Sequence, residues 1–201
     1  MTDFSRRVIA LSDAAWRLRE NAPAPCGLSF ALALFSDPQR LPPIEVLAGN
    51  LPRDIPPIAV IFRHDTLEAE ERRMLAKQVC GLVQERGHLF LMAREELDGA
   101  DGAHGAGPGP GIRTAPCHDI EELIGLSAWA DAAFLSPLHA TGSHPGRHPL
   151  TRRTAVSLAQ ASRVPLFALG GMNEVTAMAF QGTPFYGMGA IEAFVSEPER
   201  A

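Results

Sequence analysis

The chain has 201 residues, 46% of them hydrophobic, enough to bury one sizeable core, and no break in composition calls for two domains. Eighteen Lys and Arg against 23 Asp and Glu give a net charge of −5, with no basic cluster or aromatic-basic interleaving, so a nucleic-acid partner is not expected. No apolar run approaches the roughly 18 residues that span a bilayer, no signal-peptide core is present, and Cys26, Cys80 and Cys117 fit neither a disulfide framework nor a zinc site. These features predict a cytoplasmic protein with reduced thiols and no membrane association.

Residues 1–25 read as a helix and linker standing before a single domain over 26–201. Asp3 to Glu20 places Phe4, Val8, Leu11, Ala15 and Leu18 at helical spacing, and the Ala22-Pro23-Ala24-Pro25 stretch stops it. Gly27 to Phe35 is the first candidate strand, followed by a short helix at 44–48. Pro57 to Arg63 is the second strand, and Glu68 to Arg86 is the clearest helix, with Met74, Val79, Leu82 and Val83 expected to face inward. His88 to Ala93 and Ala100 to His104 are the third and fourth strands, separated by barely one turn. The glycine and proline content of 105–111 excludes a helix there and reads as a loop.

Beyond that loop, Gly111 to Pro116, Asp131 to Ser136, Val164 to Leu169 and Thr183 to Gly187 read as strands. Helices are expected at 119–127, 151–162 and 173–180, with a short one at 190–194. Eight strands alternating with helices predict an α/β fold, a shortened (β/α)8 TIM barrel with helices 3 and 4 reduced and an extra N-terminal helix. An open doubly wound sheet is the alternative, but no Gly-x-Gly-x-x-Gly follows the first strand. Reduced helices leave the outer face of strands three to five bare, so either a second subunit in a homo-oligomer or the N-terminal helix is expected to cover it.

The buried strand at 164–169 ends in Gly170-Gly171, and Asn173 then caps a helix. Backbone N–H groups without side chains beside a helix N-terminus suit phosphate; a tight strand-to-helix turn is the other reading. In (β/α)8 barrels phosphate is frequently held by the loops after strands seven and eight. Gly170 and Gly171 are expected to follow strand seven, and Gly187 and Gly189 to follow strand eight, which favours phosphate.

The order of short motifs resembles the thiamine-phosphate synthase and TenI superfamily over roughly residues 28–195. The matching pieces are Phe62-Arg63, Ala100 to Gly105, Ser136 to Gly146, Val164 to Met172 and Gly187 to Ile191. The resemblance implies a barrel that binds a small phosphorylated heterocycle of the thiazole phosphate type. Synthases couple hydroxymethylpyrimidine diphosphate to that ring with loss of pyrophosphate and help from Mg²⁺; TenI-type members tautomerise the thiazole carboxylate phosphate. A non-catalytic phospho-heterocycle binder or regulator is the third reading. By the same resemblance Arg63 would hold pyrophosphate, joined by Thr141, Ser143 and His144 of the strand-six loop, while Gly171 and Gly189 would meet the thiazole phosphate.

The chain departs from the synthase pattern at the metal end. Asp65 stands where the family has a lysine, Ala93-Arg94 where it has an Asn-Asp pair, the Gly/Pro loop where it has a further aspartate, and His144 where it has a second lysine. Mg²⁺ is therefore implied by the resemblance while its carboxylate ligands are unmatched. For proton transfer, His139, His118, His144 and Cys117 are the candidates near the expected mouth, with His139 and His118 taken as the catalytic pair.

Overall fold

The computed structural model describes residues 2–20, 22, 27–139 and 148–195. Cys26, Thr141, Ser143 and His144 lie outside the described residues.

Eight parallel strands form a closed barrel, which excludes the open sheet. They are β1 (Leu32–Phe35), β2 (Ala59–Phe62), β3 (Leu89–Ala93), β4 (Gly102–His104), β5 (Ile112–Cys117), β6 (Ala132–Leu135), β7 (Leu166–Ala168) and β8 (Gly187–Ala190). Each pairs with the next, and β8 returns to β1 with Met188 opposite Leu32. The strands read as continuous apolar runs because both faces are buried, and their alternation sorts two layers. Ala33, Phe35, Ile61, Leu91, Phe134 and Phe167 fill the interior, while Leu34, Val60, Phe62, Phe90, Met92 and Leu135 meet the surrounding helices.

Among the described residues six helices flank the barrel: α1 (Asp3–Arg19), α2 (Ile44–Gly49), α3 (Ala69–Glu85), α4 (Ile120–Leu126), α5 (Arg152–Ala161) and α6 (Glu174–Met178), with a 3₁₀ turn at Glu192–Phe194. Side-chain oxygens of Thr2, Asp119 and Thr151 accept N–H groups at the starts of α1, α4 and α5, which sets where these helices begin. In α3 the inward face is Arg72, Ala76, Val79, Cys80 and Val83; Met74, expected inward, is 63% exposed. The apolar stripe is narrow enough that Met74 falls just off it.

The N-terminal helix does not cover strands three to five. It lies against β1, β8, α6 and the 3₁₀ turn, filling the place of a full helix after β8. Val8, Leu11, Ala15 and Leu18 are buried there, Arg19 donates to the carbonyls of Leu28, Phe30 and Tyr186, and Arg7 binds Glu174 at 2.7 Å. No helix joins β3 to β4 or β4 to β5, as expected. The face so exposed is closed within the chain. Phe90 and Met92 lie in the same apolar layer as the inward residues of α3, the outward residues Ala103 and Ala115 are small, and the Arg113 side chain is 3% exposed against Glu96 at 2.6 Å. A Cβ on Gly109 would fall 1.7 Å from the Arg113 guanidinium, so the Gly/Pro loop sits directly on it. Covering these strands requires no second subunit, because their outward side chains are mostly not large apolar ones.

The last strand also differs from expectation. It runs over 187–190 rather than 183–187, so Gly187 and Gly189 lie within β8 and not in a turn after it. Gly187 has φ +154°, and a Cβ there would meet the Ala31 carbonyl oxygen at 2.0 Å; one on Gly189 would meet the Phe35 ring at 2.6 Å. Gly187→Ala is expected to destabilise the fold by about 3 kcal/mol, at the upper end of overpacking costs. Gly81→Ala, mid-helix in α3 with nothing within 4 Å, should add about 0.5–1 kcal/mol. Denaturant unfolding of both variants checks the pair.

Candidate functional site

All strands of a parallel barrel end at one rim, so the residues that follow β1 to β8 share a mouth. Its floor is aromatic. Phe35 packs edge-on against Phe134 at 4.9 Å and against His104 at 5.3 Å, and Phe134 meets Phe167 at 5.2 Å. Gly189 leaves the room that the Phe35 ring occupies. His104, at the end of β4, places Nδ1 2.9 Å from Thr114 Oγ1. Burial, helped by the nearby Arg63 and Arg94 charges, pushes its pKa down to about 3, so the ring is neutral at physiological pH.

Arg63 follows β2 directly. Its backbone N–H donates to Ser36 Oγ at 2.8 Å, its Nε donates to the Ser36 carbonyl at 3.1 Å, and its guanidinium lies 5.5 Å from the centre of the Phe35 ring. Burial lowers the Arg63 pKa while Asp37 works against that shift. Ser36 Oγ also lies 3.0 Å from His64 Nδ1, and the His64 ring stacks on Phe62.

Around this floor the rim carboxylates are engaged by arginines. Asp37 is 2.9 Å from Arg40 and 3.4 Å from Arg63. Asp65 is 3.3 Å from both Arg72 and Arg94, Glu95 joins Arg72 and Arg73, and Glu192 lies 3.8 Å from Arg40. Asp65, standing where the resemblance implies a lysine, would alone repel an anion, but two guanidiniums on the one carboxylate reverse that local sign. Mg²⁺ demands hard oxygen ligands in near-octahedral geometry, yet each of these carboxylates already serves a cation. Among the described residues no group of three or more His, Cys, Asp or Glu is placed to hold a metal ion. The residues present do not fit the Mg²⁺ that the resemblance implies.

The two expected bases have different surroundings. His118, after β5, places Nδ1 2.8 Å from the Ser136 carbonyl oxygen and 3.3 Å from Ser136 Oγ, and its backbone N–H donates to Glu122 at 2.8 Å. A carbonyl only accepts, so Nδ1 carries the proton and Nε2 presents the lone pair. The backbone N–H of His139 donates to the Gly170 carbonyl at 3.1 Å, but its ring stands edge-on to Phe180 in the outer layer, with Nε2 buried and without a hydrogen-bond partner among the described residues. Burial lowers the His139 pKa. Cys117 is buried, and desolvation raises its pKa to about 11, which removes it as a base near neutral pH.

Gly170 and Gly171 follow β7 as expected, both at positive φ (96° and 64°). A Cβ on Gly170 would lie 2.9 Å from Pro137 Cα, so the strand-six segment passes tightly over this turn. At the start of α6 the Asn173 side chain accepts the N–H groups of Val175 and Thr176, and Thr176 Oγ1 accepts that of Asn173. The N–H groups of Asn173, Val175 and Thr176 are thus satisfied within the cap, while the backbone groups expected to meet phosphate are those of Gly170 and Gly171 ahead of it. Sequence reasoning missed Arg94, His104 and the Ser36–His64 pair. The available signal was position, since each lies at or just beyond the C-terminal end of a strand.

No family model matches the chain, and no curated protein matches it. Solved structures share its fold. A thiamine phosphate pyrophosphorylase from Pyrococcus furiosus superposes with a TM-score of 0.62 at 20% identity, covering 80% of this chain and 84% of that one. A thiamine phosphate pyrophosphorylase from Bacteroides thetaiotaomicron gives 0.55 at 16% identity, covering 81% and 82%. The fold resemblance read from the motifs is thus matched by the architecture.

The buried neutral histidines make stability depend on pH. Burial lowers the pKa of His104, His64, His88 and His139 in the folded state below the ordinary 6.5. The unfolded chain therefore takes up protons first as pH falls, so stability is complete above about pH 6.5 and declines toward pH 3. His104→Gln is expected to flatten this decline by up to about 1.4 kcal/mol per pH unit between about pH 6 and pH 4. Thermal melts across that range provide the check; an unchanged slope would mean that His104 is not held neutral.

Proposed function

We propose that the barrel mouth binds a small phosphorylated heterocycle of the thiazole phosphate type and catalyses a metal-free proton shift on it. The observation that carries this reading is an aromatic floor of Phe35, Phe134 and neutral His104 beneath a rim of arginines that includes Arg63. A flat ring gains by stacking on such a floor, and the phosphate it carries meets guanidinium donors at the edge. His118 is the group suited to move the proton. With Nδ1–H held by the Ser136 carbonyl, Nε2 takes a proton from one ring position and returns it to another as the double bond shifts, so atoms and charge balance. Engagement of Asp37, Asp65 and Glu95 by arginines argues against a Mg²⁺-assisted departure of pyrophosphate.

A second reading, synthase-type transfer, is favoured by the names of the solved structures that share the fold. Calorimetric titration with hydroxyethylthiazole phosphate, then hydroxymethylpyrimidine diphosphate and Mg²⁺, separates the two. Binding of the first without formation of thiamine phosphate is expected, whereas product would establish transfer. Thiazole carboxylate phosphate should be isomerised by the protein, and His118→Ala should slow that conversion about 100-fold. Binding with no isomerisation would leave a phospho-heterocycle binder.

A further inference from the structure

On the β1 to β3 side of the rim, arginines share the carboxylates. Asp37 is shared by Arg40 and Arg63, and Asp65 by Arg72 and Arg94. With Glu95 on Arg72 and Arg73, and Glu192 at 3.8 Å from Arg40, five guanidiniums meet four carboxylates. The two inner carboxylates are therefore each divided between two cations. Arg72 is buried and donates also to the Ala93 carbonyl at 2.7 Å, so it anchors Asp65 from below. Arg94 is the outer partner, 74% exposed, with a single-point contact at 3.3 Å that leaves most of its donor fork available.

The backbone at Arg94 adds an independent observation. Among the described residues it alone, other than glycine, has a positive φ, at 67°. A bulky side chain in that region is strained, and such strain persists at positions where function requires the side chain to be. The conformation occurs where β3 ends, and the Arg94 N–H still donates to the His104 carbonyl at 2.8 Å, so the residue is fixed to the β4 end beside the neutral imidazole. Arg63 and Arg94 also lie close enough for each charge to act on the same His104 ring, and the Arg94 charge acts on Arg63 itself.

We infer that Arg63 and Arg94 form a metal-independent clamp for the phosphate or diphosphate group of the ligand, with Arg94 supplying the positive charge that a divalent cation supplies elsewhere. This inference rests on the reading of the mouth as a phospho-heterocycle site, and it places a phosphoryl group on the β2–β3 side. Guanidinium suits the task because it stays protonated at physiological pH and binds two phosphoryl oxygens at once.

The test is calorimetric titration in EDTA with inorganic pyrophosphate and, separately, hydroxyethylthiazole phosphate, using the intact chain and its Arg94→Gln and Arg94→Gly variants. Both ligands should bind without metal, and both variants should bind at least tenfold more weakly. Arg94→Gly should melt no lower than the parent, because glycine relieves the positive φ, which separates lost binding from lost folding. Binding that requires Mg²⁺, or that is unchanged in both variants, overturns the clamp while leaving the heterocycle site standing. Arg94-dependent pyrophosphate binding without any thiazole phosphate binding supports the clamp and overturns the heterocycle. Failure of both ligands to bind overturns both.

Discussion

The closure of β8 on β1 is the constraint on which the rest of the molecule depends. Met188 pairs with Leu32 in a strand whose glycines, Gly187 and Gly189, let the Ala31 carbonyl and the Phe35 ring approach within distances that no Cβ would permit. An eight-stranded barrel has just enough interior for its own side chains, and here the large ones are phenylalanines from β1, β6 and β7. Small residues on β8 compensate for those rings. The packing that closes the barrel thereby also forms the aromatic floor of the mouth.

The reduction of two connecting helices follows a similar economy. Helices normally cover a parallel sheet because its outward side chains are large and apolar. On β4 and β5 the outward residues are alanines and one arginine, and the guanidinium of Arg113 is closed over by Glu96 and a loop whose glycines allow close approach. At the strand ends on that side the Arg94 N–H donates to the His104 carbonyl at 2.8 Å. On the opposite side α1 substitutes for the helix after β8, and its Arg7 reaches Glu174 in α6. The scaffold is thus asymmetric: covered by an added helix near β8 and by a close-fitting loop near β4.

Electrostatically the mouth is a set of shared ion pairs. Exposed pairs contribute little to stability, so the outer arginines Arg73 and Arg94 matter more for the field they present than for holding the chain together, whereas Arg72 is buried against Asp65, Glu95 and the Ala93 carbonyl. Carboxylates bound in this way are poor ligands for a hard cation and leave arginine donors turned toward solvent. The fold is shared with the thiamine phosphate pyrophosphorylases with which it superposes. Fold and site carry separate information, since catalytic residues on barrels are borne by strand ends and loops that vary independently of the core.

Much of this was legible in the chain itself. Apolar runs bounded by glycine and proline located the strands to within a few residues, and the helix content of 105–111 could be excluded from composition alone, because glycine and proline disfavour helix wherever they stand. The turn at Gly170-Gly171 and the cap at Asn173 were likewise local. What the chain could not reveal were the relations set by tertiary packing. Gly187 and Gly189 look like a turn in sequence, and only the approach of Ala31 and Phe35 makes them strand residues. Asp65 reads as a repulsive charge until Arg72, from a helix, and Arg94, from the next strand, are brought to it. His139 looks like a base until Phe180 is packed on its ring. Local conformation depends on the residue and its neighbours, whereas charge balance and burial depend on which distant groups arrive, and that is decided only when the barrel closes.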